Sequence, residues 1–175
     1  MNAAIGEPAI GEPAIGERIL CPALAMADPG FRAWFGSSRA VDARGLPLLL
    51  HHGCEARFRA FDPGRIDRRS SRPAFWFSSH AACGWYGPRR VAVYLRAPRV
   101  FEAPDGDLTR WVRRARTENL EVALAERETS AWDAVVFRDV VDGDMPADVW
   151  AVFEADSLKS PAAARFDRED PDLFA

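Results

Sequence analysis

Two histidines stand beside a glycine at the end of an apolar run, in Leu50-His51-His52-Gly53-Cys54. Imidazole can act as a base, a hydrogen-bond partner or a metal ligand. On the residues alone, a histidine next to glycine at a strand end is more often structural than catalytic. A metal site made of His51, His52 and Cys54 is geometrically poor, because neighbours on a strand point to opposite faces. Cys21, Cys54 and Cys83 are odd in number and widely spaced, with no Cys-x-x-Cys pair, so neither a zinc site nor a disulfide framework is indicated. Phosphate-binding Gly-rich loops, Ser-x-x-Lys and His-Glu-x-x-His are all absent, which removes P-loop, β-lactamase and zincin chemistry. Arginines cluster at 65–72 and 110–116, where they would meet phosphate or an acidic partner, or form a solvated surface.

The elements that must position these residues follow from hydrophobic patterning. Asp28-Pro29-Gly30-Phe31-Arg32-Ala33-Trp34-Phe35-Gly36 reads as a short helix, capped by Asp28, started by Pro29 and ended by Gly36, with Phe31, Trp34 and Phe35 on one face. A turn at Asp42-Ala43-Arg44-Gly45 leads into Leu46-Pro47-Leu48-Leu49-Leu50-His51-His52-Gly53, a buried strand. Further strands are expected at Ala74–Ser78, Val91–Leu95, Ala134–Phe137 and Asp148–Phe153, with a helical piece around 81–86. The one longer helix runs from about Leu108 to Glu126 behind Asp107. Short strands interleaved unevenly with few helices give an α+β fold.

A chain of 175 residues with 48% apolar content, eleven Phe and six Trp can bury one sizeable core. The N-terminus repeats Ala-Ile-Gly-Glu-Pro at Ala4–Pro8 and Ala9–Pro13 and begins a third copy at Ala14. Gly and Pro in every unit argue for a flexible lead over 1–27. The folded domain is expected over 28–163, and 164–175 reads as a charged, loosely held tail. The first residues do not form an ordinary signal peptide and no apolar run spans a bilayer, so a soluble protein of the reducing cytoplasm is expected, with no membrane partner. The net charge is −3, and Lys159 is the only lysine among 23 basic residues.

Several segments occur in an informative order. They are Phe31-Arg32-Ala33-Trp34-Phe35-Gly36-Ser37-Ser38, Val41-Asp42-x-x-Gly45-x-Pro47-Leu48, His51-His52-Gly53 and Phe58-x-x-Phe61-Asp62. Then come Phe75-Trp76-Phe77-Ser78-Ser79, Tyr86, Trp132-Asp133-Ala134-Val135-Val136-Phe137, and Val149-Trp150-Ala151-Val152-Phe153-x-x-x-x-Leu158-Lys159-Ser160. Together they resemble the ADP-ribosyltransferase-like domains of phage and mobile-element polyvalent proteins, distant relatives of poly(ADP-ribose) polymerases and diphtheria-type toxins. The resemblance spans about Phe31 to Ser160 and implies a split mixed β-sheet core with a few short helices and one longer one.

The resemblance implies roles for single residues. The family's Tyr-His-Gly-Thr motif is His51-His52-Gly53-Cys54 here, so His52 would bond the adenosine ribose of NAD. Gly53 would let the backbone approach the nicotinamide carboxamide with no side chain between. Trp76 and Tyr86 would sandwich the nicotinamide between rings. Asp148, on a late strand, would hold a ribose hydroxyl and steady the oxocarbenium-like charge as nicotinamide leaves, with Glu154 as the competing acid. Arg57, Arg59 and Arg65 lie in the stretch that would cover the dinucleotide, and an Arg fork such as that of Arg65 matches a pyrophosphate. The implied activity is transfer of ADP-ribose from NAD, as substrate, to a protein or nucleic-acid acceptor without a metal. The alternatives are NAD hydrolysis, and a non-catalytic module that binds NAD or a partner. A toxin, an effector or a phage takeover factor, acting in the cytoplasm or delivered into a target or host cell, fits the same resemblance.

Overall fold

The computed structural model describes residues 21–65, 74–81, 87–103, 131–141 and 146–175. The longer helix expected over 108–126, most of the helical piece expected around 81–86, residues 142–145 and the N-terminal repeats lie outside them.

Among the described residues two short helices come first, α1 (Pro22–Ala25) and α2 (Pro29–Phe35). The second forms as its sequence dictates: the Asp28 carboxylate accepts the Phe31 N–H at 2.8 Å, Pro29 occupies the first turn, and Gly36 leaves the helix at φ 54°. Its buried residues Phe31, Trp34 and Phe35 form an aromatic cluster with Tyr94, whose ring meets Phe31 edge-on at 4.9 Å, and with Phe166 at 5.1 Å. The first helix ends in Ala25, which is fully buried in the same cluster, so order starts before residue 28, earlier than the composition indicated. The turn after α2 is held by Asp42, whose Oδ1 accepts the N–H groups of Arg44 and Leu46, and Gly45 adopts φ 77°.

Seven strands follow among the described residues: β1 (Leu50–Cys54), β2 (Phe75–Ser78), β3 (Arg89–Leu95), β4 (Val100–Glu102), β5 (Ala134–Val141), β6 (Pro146–Val152) and β7 (Leu158–Lys159). They form one mixed sheet in the order β4-β5-β6-β2-β1-β3-β7, antiparallel except for the parallel pair β4 and β5. The α+β class expected from patterning is therefore borne out, as a mixed sheet with few helices.

Strand alternation sorts the side chains onto two apolar faces. One face carries Leu50, Phe75, Phe77, Val93, Val136, Trp150, Val152 and, from β7, Leu158, packed with Phe61 and Leu173. The other carries Val135, Phe137, Val149 and Ala151, against which Trp76 and Phe101 pack. Full burial of a side chain such as Leu50 or Val93 contributes about 1.5–3 kcal/mol.

The segment 164–175, expected as a loosely held tail, is docked. Leu173 is fully buried, its N–H donates to the Arg59 carbonyl at 2.7 Å, and its carbonyl accepts the Ser160 N–H at 2.8 Å. Its charged side chains reach solvent, while Phe166, Leu173 and Phe174 supply the packing that average composition concealed.

Candidate functional site

The three strands that carry the sequence motifs are neighbours: β6, β2 and β1 lie side by side in the middle of the sheet. Pairing between β1 and β2 is confined to His51 opposite Ser78, whereas β1 pairs with β3 from Leu50 through Cys54. The β1–β2 ladder is therefore short beside His52, whose Nδ1 lies 2.9 Å from the Trp76 carbonyl oxygen on the neighbouring strand. A carbonyl only accepts, so Nδ1 carries the proton, and the neutral ring presents Nε2 as an acceptor.

Aromatic rings enclose His52. Phe61 meets it edge-on at 5.1 Å, Phe58 at 6.1 Å, and Phe77 tilts against it at 5.5 Å. Burial among these rings pushes His52 below the ordinary imidazole range, and the hydrogen bond to the Trp76 carbonyl partly opposes the shift. The side chain is thus a neutral hydrogen-bonding group near pH 7. His51, one residue earlier, points to the other face, where burial and the neighbouring charges of Arg90 and His80 also lower its pKa. Gly53 is buried opposite Arg90 on β3. Cys54 is a buried thiol whose pKa is raised by burial.

Trp76 reaches His52 through its backbone, not its ring. Its partner across β2 and β6 is Ala151, and its indole packs at 6.0 Å on Phe137, on the face opposite His52. Tyr86 lies outside the described residues. Gly87, just beyond it, runs so close to the Cys54 backbone that a side-chain carbon there would collide with the Cys54 carbonyl group, and it adopts φ 143°. The chain returning to β3 is thereby pressed against the end of the His51-His52-Gly53-Cys54 motif.

Asp148 lies near the start of β6 on the same face as His52, since it shares the parity of Trp150. Strand spacing sets the two Cα atoms roughly 12 Å apart. Ser79 anchors its backbone, donating its N–H to the Asp148 carbonyl and accepting the Asp148 N–H on Oγ, both at 2.9 Å. The carboxylate is engaged: Arg138 Nη1 donates to Oδ2 at 2.6 Å and the Asp139 N–H donates to Oδ1 at 3.2 Å. Arg138 also donates through Nε to Glu102 at 2.6 Å, and its guanidinium lies 5.8 Å from the Trp150 ring centre. These contacts raise the Arg138 pKa against the effect of its burial. A bulge in β5 between Phe137 and Val140, with Asp139 at φ 49°, turns Arg138 and the Asp139 N–H toward Asp148.

Glu154 lies exposed beyond the far end of β6, away from Asp148. Arg59 is committed to Asp172, with Nη2 2.7 Å from its Oδ2. Arg57 is exposed, and Arg65 ends the 3-10 turn Pro63–Arg65, its side chain outside the described residues. Sequence reasoning missed Arg138 and Glu102. The available signal was a lone arginine in the apolar strand Ala134–Val141, facing an acid on the next strand. Among the described residues no cluster of His, Cys, Asp and Glu could hold a metal ion, and no helix is long and apolar enough to cross a membrane. Comparison with protein-family models, with curated proteins and with solved structures found no match.

Proposed function

We propose that this chain binds NAD across β1, β2 and β6 and transfers ADP-ribose from it to a macromolecular acceptor, releasing nicotinamide. The observation that carries the reading is the adjacency of three motif strands, with His52 and Asp148 on one face of the sheet where the β1–β2 ladder is short. The short β1–β2 register is the feature that supports the split-sheet form of the fold implied by the resemblance. In this reading the bare Nε2 of His52 accepts from a ribose hydroxyl, and Gly53 admits the carboxamide to the strand backbone. The carboxylate of Asp148 faces the positive charge that builds as the N-glycosidic bond breaks. Glu102, Arg138 and Asp148 together carry one net negative charge, which suits a cationic transition state better than a phosphate. The acceptor is a protein or a nucleic acid, and the setting is a cell interior, that of the producer or of a target.

A second reading has its own support. The Asp148 carboxylate is already paired with Arg138 and the Trp76 ring lies on the opposite face, both of which favour a module that binds NAD without cleaving it.

Incubation of the purified protein with NAD labelled in the adenosine half, with and without cell lysate, tests these readings. Label on a macromolecule supports transfer; label only in free ADP-ribose marks a glycohydrolase; intact NAD with measurable affinity marks the module. No binding at millimolar NAD would overturn the proposal.

A further inference from the structure

Arg59 and Asp172 are far apart in sequence and joined in space by more than one contact. The Arg59 Nε donates to Asp172 Oδ2 at 2.8 Å, Nη2 reaches the same oxygen at 2.7 Å, and the guanidinium lies 5.6 Å from the Phe174 ring centre. The Arg59 carbonyl accepts the Leu173 N–H at 2.7 Å. The Asp172 carboxylate is itself oriented, because its Oδ1 accepts the Phe174 N–H at 2.9 Å. The carbonyls of Asp170 and Asp172 both accept from the Lys159 ammonium at 2.7 Å, and Lys159 sits in β7 on the edge of the sheet. A chain of contacts thus runs from the sheet through Lys159 and Asp172 to Arg59.

Arg59 lies between two aromatic residues that face His52. Phe58 and Phe61 meet each other edge-on at 4.8 Å, and each meets the imidazole edge-on. Phe61 shares its core cluster with Leu173. Residues 55–62 belong to no strand or helix, and the packing of Phe58 and Phe61 on one side and the Arg59 contacts on the other help to seat them.

We propose that Arg59 and Asp172 are positioning residues of the candidate site, the 165–175 segment acting as a clasp that seats Phe58 and Phe61 against His52. The proposal rests on His52 belonging to the functional site, and it assigns Arg59 to the clasp and not to a bound pyrophosphate. The two assignments diverge on one substitution. Asp172→Asn releases Arg59, which would strengthen NAD binding if Arg59 gripped phosphate; the clasp requires the binding to weaken.

The test uses the full chain with Arg59→Ala, Asp172→Asn and the charge-exchanged pair Arg59→Asp with Asp172→Arg. Arg59 is well exposed, so the single substitutions leave the core intact, and unchanged exchange protection of Val93 and Val135 verifies it. Without any ligand, each single variant is expected to speed amide exchange over 57–61 by about fivefold. Each is also expected to move the His52 imidazole titration, followed by nitrogen NMR against His52→Gln, back toward its ordinary value as the rings loosen. The charge-exchanged pair is expected to recover part of both effects, because it restores the ion pair but not the acceptor for the Phe174 N–H. With NAD present, affinity falls severalfold in the singles. Exchange and His52 titration both unchanged in folded single variants would overturn the clasp, whatever NAD does. Tighter NAD binding by Asp172→Asn would overturn it too. Absence of NAD binding by the unsubstituted protein would sink the functional reading alone, since the two ligand-free measurements still decide the clasp.

Discussion

Arg138 Nη1 and Asp148 Oδ2 lie 2.6 Å apart on neighbouring strands, and Arg138 carries the same contact on to Glu102. The side chains are about one-third and one-quarter exposed, so solvent screens the pair and its stabilisation is modest. Arg138→Ala is expected to cost about 1 kcal/mol, a fall of roughly 2–4 °C in Tm by calorimetry. Function should be more sensitive than stability. If the proposed transfer holds, Asp148→Ala is expected to lower nicotinamide release by about 10²–10³-fold with NAD affinity little changed, because the carboxylate would then act on developing charge. Equal loss of affinity and turnover would show that Asp148 serves binding.

The protonation of His52 and His51 makes the protein sensitive to acid. Both pKa values are lowered in the folded state by burial, so below the ordinary value of 6.5 the unfolded chain takes up protons that the folded one does not. Stability is then full above about pH 7 and falls as pH drops through 6.5 toward the folded values. His52→Gln is expected to flatten the slope of urea midpoint against pH between about pH 7 and pH 5. It also removes the bare ring acceptor, so NAD affinity should fall.

Gly87 predicts a local failure. Alanine there meets the Cys54 carbonyl group, which is backbone and cannot rotate away, and the φ of 143° is itself unfavourable for any side chain. Gly87→Ala is expected to cost about 2–3 kcal/mol in urea denaturation, whereas Gly45→Ala, with open space around it, should cost less.

Sequence patterning made part of this legible. The cap and the aromatic face of α2, the Asp42 turn, and strands at the expected places in β2, β3, β5 and β6 all follow from local chemistry. The strands β4 and β7 have three and two residues and no alternation to read. The adjacency of β2 and β6 is non-local, so spacing alone does not disclose it. The face of Trp76 depends on register, where a slip of one residue would turn its ring toward His52. Arg138 was hidden because its meaning lies in a bulge, and Leu173 because acidic neighbours surround it.

Lys159 is fully buried, and burial lowers its pKa against the pull of Asp170, Asp167, Asp172 and Asp156. Lys159→Met keeps the stem but leaves the carbonyls of Asp170 and Asp172 without their donor. The expected cost is about 2–3 kcal/mol, with faster proteolysis of 165–175 preceding global unfolding.

The strand order also bears on synthesis. The strands β2, β1 and β3 are made early, yet their outer edges are covered by β6 and β7, which the ribosome delivers last. A nascent chain with residues up to Leu95 in hand presents two open edges until those strands emerge, several seconds later at roughly 5–20 residues per second. Open edges invite pairing with other chains, which makes this interval the one in which a holding chaperone matters most. The surroundings of His52 are complete only after translation has passed Leu173, which packs in the same cluster as Phe61.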